Sequence, residues 1–344
     1  MTSTRVTIQD VANRLGLSKF SVSRALSGKP GVAETTRSRV LQAAHAMGYR
    51  VHAEMAHTVG QILFVRSEVD PVSSELWLNI MHGAEAEAER LGYSVVPRQA
   101  RYLSATTNLD PSVVGLILAV PRPADIADIA SRSGVPVVCA SYVEPLVRFD
   151  HVVGADWESG VAVARMLTGL GHRHVAFMHG SSLPLGRNER FRGFRDGMLE
   201  TPGAIVEDII YDEAAGFRRP FLAYLRNGGT PTALFCAHDG IGVSAVSELL
   251  QMGLRIPEDV SVVGYSDFAC ATQISPHLTT VRTPQVEMGA AMVRCIADRL
   301  ATPENRSRAP VRMALASEIV RRASTGPVGN PPWSSLLPTL NTVA

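Results

Sequence analysis

The sequence predicts a small all-α helix-turn-helix head followed by a large α/β body made of two doubly wound parallel sheets. Three observations carry this reading. Residues 7–50 hold short amphipathic helices broken by a tight turn, the remainder alternates apolar strand-length runs with helices, and that alternation starts afresh midway along the chain. With 344 residues and 46% hydrophobic content the chain exceeds one typical domain and can bury a large core.

In the head, Thr7 and Asp10 form a helix start, a hydroxyl for the first free N–H groups and an acid near the positive helix end. Ile8, Val11, Ala12 and Leu15 make one apolar stripe, which Gly16 and Leu17 end. Ser18 caps a second helix whose Val22 and Leu26 face the first, leaving Lys19, Phe20, Ser23 and Arg24 outside. Those are types that touch nucleic acid: Arg forks onto guanine, Ser and Lys suit phosphates or base edges, and Phe lies against a thymine methyl. Residues 32–47 supply a third helix, closing a small core through Val40, Leu41, Ala44 and Met47. A plain helical cap would explain the pattern as well, but charge argues against it. Residues 1–60 hold eight Lys and Arg, including both lysines of the chain (Lys19 and Lys29), against three acids, whereas the whole chain is only +1. A basic head on an acidic body suits a phosphate-binding module joined to something else.

The head segment TIQDVANRLGLSKFSVSRAL, continued by V.ETTR.RVL.AA..MGYR, resembles the N-terminal signature of the LacI family of bacterial transcription regulators, and the resemblance extends to about residue 325. It implies that Ser18, Lys19, Phe20, Ser23 and Arg24 enter the major groove and that Thr7 and Ser21 touch the backbone. It also implies a cytoplasmic homodimer on a pseudo-palindromic operator, a small-molecule effector, and a repressor's role. After GYR the family carries Pro-Asn and then a helix ending in a Leu that wedges into the minor groove. Here Val51 and His52 replace Pro-Asn, and Met55 or Thr58 stands where Leu is expected. Met55 is the candidate wedge, with a plain tether as the alternative.

Other classes are excluded by what a transporter or enzyme would need. No 18-residue apolar run spans a membrane, and the N-terminus reads as a folded helix and not a secretory segment. Cys139, Cys236, Cys270 and Cys295 lack CxxC spacing, so reduced core thiols are expected, with no metal and no cofactor. No phosphate loop or nucleophile motif follows a strand, so an enzyme is not expected. A solute-binding protein of transport would lack the head.

Along the body, residues 51–59 read as a linker. Strands are expected at 61–65, 93–96, 113–120 and 135–140, with helices at 78–91 and 124–132; the second series has strands at 174–178, 233–236 and 260–264, with helices at 160–170, 189–200 and 240–252. Strands this apolar belong to parallel sheets covered on both faces. The resemblance arranges 60–325 as a two-lobed periplasmic-binding-protein-like domain that the chain crosses near 156–160, 283 and 313. The N-lobe then comprises about 60–157 and 284–312, the C-lobe about 158–283 and 313–325, and residues 326–344 are expected to form a mobile tail.

Ligands collect beyond the carboxyl ends of such strands. The residues there are Ser67, Asp70 and Trp77 in the first series, then Asp156, Arg190, Tyr211, His238, Asp239, Ser266 and Asp267. The family's GFR segment carries an effector-binding Arg at the spacing of Arg190. His238 stands where Asn is usual and Ser266 where many relatives carry Asp. Acids, an Arg fork and aromatic faces together describe a sugar, sugar acid or polyol, with a purine or other metabolite acting as corepressor the alternative.

Overall fold

Thr7 begins the first helix, α1 (Ile8–Leu15), through a capping box: its hydroxyl accepts from the Asp10 N–H while the Asp10 carboxylate accepts from the Thr7 N–H at 2.8 Å. Gly16 ends the helix in the left-handed region (φ 65°), a conformation glycine adopts without strain, and turns the chain into α2 (Lys19–Leu26). Ser18 caps α2 by accepting from the Ser21 N–H at 3.0 Å. Val11, Ala12, Val22, Ala25, Leu26, Val40 and Ala44 close the core between the helices.

The computed structural model describes residues 6–26, 32–33, 35–36, 39–40, 43–44, 47, 60–66, 74–103, 108–119, 132, 134–140, 146–180, 185–211 and 216–335. The chain divides into a small unit built on residues 1–61 and a large unit that holds nearly all the rest. The linker 51–59 with Met55, the candidates Ser67 and Asp70, and nearly all of the helix expected at 124–132 lie outside the described residues.

Among the described residues the large unit carries two larger sheets and one two-stranded pair. The first has the order β11-β5-β4-β3-β1-β2, formed by β1 (Gly60–Arg66), β2 (Tyr93–Gln99), β3 (Val113–Ala119), β4 (Val137–Cys139), β5 (Asp150–Gly154) and β11 (Arg312–Leu315). The second has the order β7-β6-β8-β9, formed by β6 (His174–Gly180), β7 (Ile205–Tyr211), β8 (Ala233–Cys236) and β9 (Ser261–Val263), every pair parallel. Strand order reverses between β6 and β8, which opens a crevice beyond Gly180 and Cys236. Ile62 to Val65 and Phe177, Phe235 and Val262 are buried, as expected of strands covered on both faces.

Helices α3 (Ser74–Leu91) and α8 (Gln285–Ala301) pack in the first lobe, where a Cβ on Gly289 would collide with the Ile80 carbonyl and one on Gly83 with that of Val286. A buried pair, Arg299 to Asp150 at 2.6 Å, ties α8 to β5. The second lobe carries α4 (Asp156–Gly169), α5 (Leu185–Leu199), α6 (Arg218–Arg226) and α7 (Asp239–Gln251). The remaining short elements are α9 (Pro303–Ser307) and the antiparallel pair of β10 (Thr280–Arg282) with β12 (Glu318–Val320).

Two expectations need correction. The third crossing lies past 315 and not near 313, because β11 still pairs with β5 in the first sheet, Leu315 opposite Gly154. Residues 326–335 are not a mobile tail: Val328 donates to Leu170 O at 2.8 Å, and Trp333 is 4% exposed with its indole N–H on Pro231 O at 3.1 Å. A buried indole edge-on to Phe221 outweighs the Pro, Gly and Ser content that suggested mobility.

Candidate functional site

The head presents its chemistry outward. Val22, Ala25 and Leu26 turn one face of α2 into the core, which leaves Ser18, Lys19 and Phe20 exposed and Ser21, Ser23 and Arg24 half-buried at the rim. Phe20 is 69% exposed and lies beneath the Arg24 guanidinium, 5.4 Å from the ring centre. Thr7 and Ser21 sit at the two helix starts, where backbone N–H groups and hydroxyls suit phosphates.

The second lobe gathers its candidates inward. Gly160 and Gly193 let α4 and α5 approach until a Cβ on either would meet the other helix's backbone. That approach brings Asp156, in the first turn of α4, to Arg190 on α5: Arg190 Nη2 and Nε donate to Asp156 Oδ1 at 2.7 and 3.2 Å. Tyr265, at the end of the β9 segment, donates its hydroxyl to the same oxygen at 2.8 Å, and the guanidinium stacks over its ring. Arg190 also donates to Ala237 O, at the end of β8. The carboxyl ends of β8 and β9 and the starts of α4 and α5 thus converge on one guanidinium, itself 7% exposed. Burial, with the Asp156 charge beside it, raises the Tyr265 phenol above its ordinary range, so it stays a donor.

His238 and Asp239 part company. His238 is the N-cap of α7, its Nδ1 accepting from the Ile241 N–H at 3.4 Å. Asp239 is completely buried and points away, accepting from Thr280 Oγ1 at 2.5 Å and from the Phe268 N–H at 2.7 Å. Its inward direction gives it a loop-holding role, which corrects the expectation of a ligand-facing acid. Burial pushes its carboxyl up to about 7, against the opposing effect of those hydrogen bonds.

The loop after Tyr265 is strained at two non-glycine residues, Ser266 (φ 105°) and Asp267 (φ 55°). Asp267 is held by Arg282 at 2.7 Å and Arg322 at 2.6 Å. This loop meets the first lobe directly: the Ala269 N–H donates to Glu75 Oε1 at 3.0 Å, and Gln285 Nε2 donates to Ser266 O at 3.0 Å while accepting from Asn79 at 2.8 Å. Trp77 lies half-buried between Glu75 and Asn79 in sequence, on the same helix. Tyr211 ends the edge strand β7, half-buried against the second core. Trp157 turns to the outer face, bonded to Asp196 at 3.1 Å.

Sequence reasoning missed Tyr265, Gln285 and Thr280. A large aromatic directly before two candidate ligands was the available signal for Tyr265; Gln285 and Thr280 gave none. Among the described residues no group of three side chains is placed to hold a metal, and no helix is long and apolar enough to cross a membrane.

Comparison with known proteins agrees with this fold. Residues 7–51 match the model of bacterial regulatory proteins of the lacI family, and residues 164–325 match a periplasmic binding protein-like domain. The HTH-type transcriptional regulator DegA of Bacillus subtilis is 28% identical over 342 residues, 94% of this chain and 99% of that protein. The HTH-type transcriptional repressor PurR of Aliivibrio fischeri is 26% identical over 340 residues, covering 92% and 98%. Among solved structures, the transcriptional regulator CelR in complex with cellobiose superposes with a TM-score of 0.64 at 25% identity, covering 93% of this chain and all of that one. A helix-turn-helix with an outward basic face, joined to a two-lobed α/β body and matched over nearly its whole length by HTH-type regulators, makes the chain a DNA-binding transcriptional regulator similar in its head to the lacI family, and not an enzyme.

Proposed function

We propose that the protein is a cytoplasmic, dimeric repressor whose operator affinity is set by a neutral polyhydroxylated molecule, a sugar or polyol, bound between the two lobes. The observation that carries the reading is the Arg190–Asp156–Tyr265 cluster at the strand ends of the second lobe. Arg190 already has a carboxylate partner and an aromatic face beneath it. A sugar acid would bring a second anion to a charge already balanced, whereas hydroxyl groups can share these donors and acceptors. CelR, similar over 93% of this chain, is seen with cellobiose, which supports a sugar, and PurR is named a repressor.

The head supplies the other half. Helix α2 enters the major groove with Lys19, Phe20, Ser23 and Arg24 on its outward face, and Ser18, Ser21 and Thr7 lie on or beside phosphates. A dimer sets two such helices on a pseudo-palindrome, and a ligand bridging the lobes shifts the loop at Ser266 against α3 through Glu75, Asn79 and Gln285. Operator and effector then alter each other's affinity by the same factor. Thermal-shift screening of the full chain against neutral sugars, polyols, sugar acids and purine bases tests the class. A rise in melting temperature confined to the neutral hydroxylated compounds is the expected result. A rise with purine bases or with acids alone would replace this reading.

A further inference from the structure

Among the described residues Phe20 is the most exposed of the head's large apolar side chains, and the structure gives it a charged neighbour. It stands four residues before Arg24 on α2, the spacing that puts two side chains on one helix face. The guanidinium carbon lies 5.4 Å from the ring centre, within the range at which a cation is attracted to an aromatic face. The first turn that carries Phe20 is itself fixed, because Ser18 Oγ accepts from the Ser21 N–H at 3.0 Å and meets Ser21 Oγ at 2.8 Å. The inner residues Val22, Ala25 and Leu26 hold the helix against rotation.

From this we infer that Phe20 is a positioning residue for Arg24 and not itself a reader of bases. A guanidinium attracted to a ring face from this distance is restrained in position while its N–H donors remain able to turn outward, the direction in which Arg forks onto guanine. An unsupported Arg samples many rotamers and loses that freedom on binding; a pinned one loses less. A residue that only touched a thymine methyl would need apolar bulk, which Leu provides as well as Phe. Holding a guanidinium needs an aromatic face, which Leu lacks.

The inference rests on the head reading DNA, and the experiment keeps the two apart. Duplexes are selected from a random-sequence library with the full-length wild-type protein, and the consensus duplex and its single-base-pair variants are then titrated at one salt concentration. The proteins compared are wild type, Phe20→Leu, Phe20→Trp, Arg24→Ala and Phe20→Leu/Arg24→Ala. Arg24→Ala is expected to level the preference at one base pair of each half-site. Phe20→Leu should weaken preference at that same base pair by about three- to tenfold, Phe20→Trp should keep it within about twofold, and the double variant should behave as Arg24→Ala alone. Phe20→Leu changing preference at a different base pair, or adding its full effect to Arg24→Ala, overturns the inference. Failure of the wild-type protein to enrich any sequence overturns the DNA reading instead. Because Phe20 is 69% exposed, its replacement leaves the core of the head intact, and a thermal melt confirms that.

Discussion

The head and the second lobe use the same kinds of side chain in opposite ways. Both centre on an arginine over the face of an aromatic ring, at 5.4 Å in the head and 3.1 Å in the lobe. In the head the ring is 69% exposed and the arginine sits at the rim of the core; in the lobe Tyr265 is 2% exposed and Arg190 7%. A duplex is a large external surface, so its reader must stand in solvent before contact. Under the proposed function a small molecule is enclosed, and the cluster that would receive it is pre-built inside the lobe with its charges balanced. One consequence is that the head separates binding from stability, whereas the lobe couples them.

The sharpest test of that coupling is Arg190→Met. It leaves the Asp156 carboxylate, 19% exposed, without its cation, and removal of one partner from a largely buried pair costs about 3–5 kcal/mol. Chemical denaturation should show a loss of this size, partly recovered in Arg190→Met/Asp156→Asn. A stability unchanged by the single replacement would mean that the pair forms only in the ligand-bound lobe, and the contrast with the head would weaken.

Asp239 extends the test to pH. In the folded chain its carboxyl releases its proton only near about 7, because burial penalises the charge, whereas in the unfolded chain it does so near about 4. Between those values the unfolded state binds fewer protons than the folded one, so this group's contribution is full below pH 4 and is lost as pH rises to 7. At about 1.4 kcal/mol per unit the whole change is at most about 4 kcal/mol. Asp239→Asn accepts from the Phe268 N–H through its oxygen and donates to Thr280 through its amide. Its stability, followed by thermal melts from pH 4 to 7, should lack that slope; an identical slope in both proteins would assign the titration elsewhere.

How much of this was legible in the sequence follows from the range of the contacts. The head is local: its stripe, caps and glycine turn lie within a few residues of one another, and each is found where Thr7, Gly16 and Ser18 place it. Strands buried on both faces, such as β1, β3 and β8, were also visible as continuous apolar runs. The edge strand β7 was not, because Glu207 and Asp208 interrupt Ile205–Tyr211. Helix α8 went unassigned although Met288, Met292 and Ile296 repeat at helical spacing, since its partners Ile80 and Ala84 come from the far end of the chain. In the site, residue types were readable but direction was not. Nothing near Asp239 in sequence says that it faces inward, and the pairing of Arg190 with Asp156 spans 34 positions.

The C-terminal segment offers a smaller version of the same coupling. Gly326 O meets His172 Nε2 at 3.1 Å, its N–H bonds Ser261 Oγ at 3.1 Å, and Trp333 fills a pocket beside Phe221. Trp333→Ala should cost about 3 kcal/mol in denaturant unfolding while leaving the head's DNA contacts untouched. A loss below about 1 kcal/mol would show the segment to be an ornament on the lobe.

The head's side of the comparison is tested by Arg24→Ala. A bidentate contact to guanine discriminates by about 1–3 kcal/mol, so affinity for the selected operator should fall by about ten- to a hundredfold. Affinity for random duplex comes from phosphate neutralisation and should change little at fixed salt. The melting temperature should stay within the range of surface substitutions, since the buried residues of α2 are Val22, Ala25 and Leu26 and not Arg24. Equal losses on operator and random duplex would make Arg24 a phosphate contact. A large drop in stability with no change in discrimination would show that the head, like the lobe, spends its arginine on holding itself together, and the division between the two regions would fall.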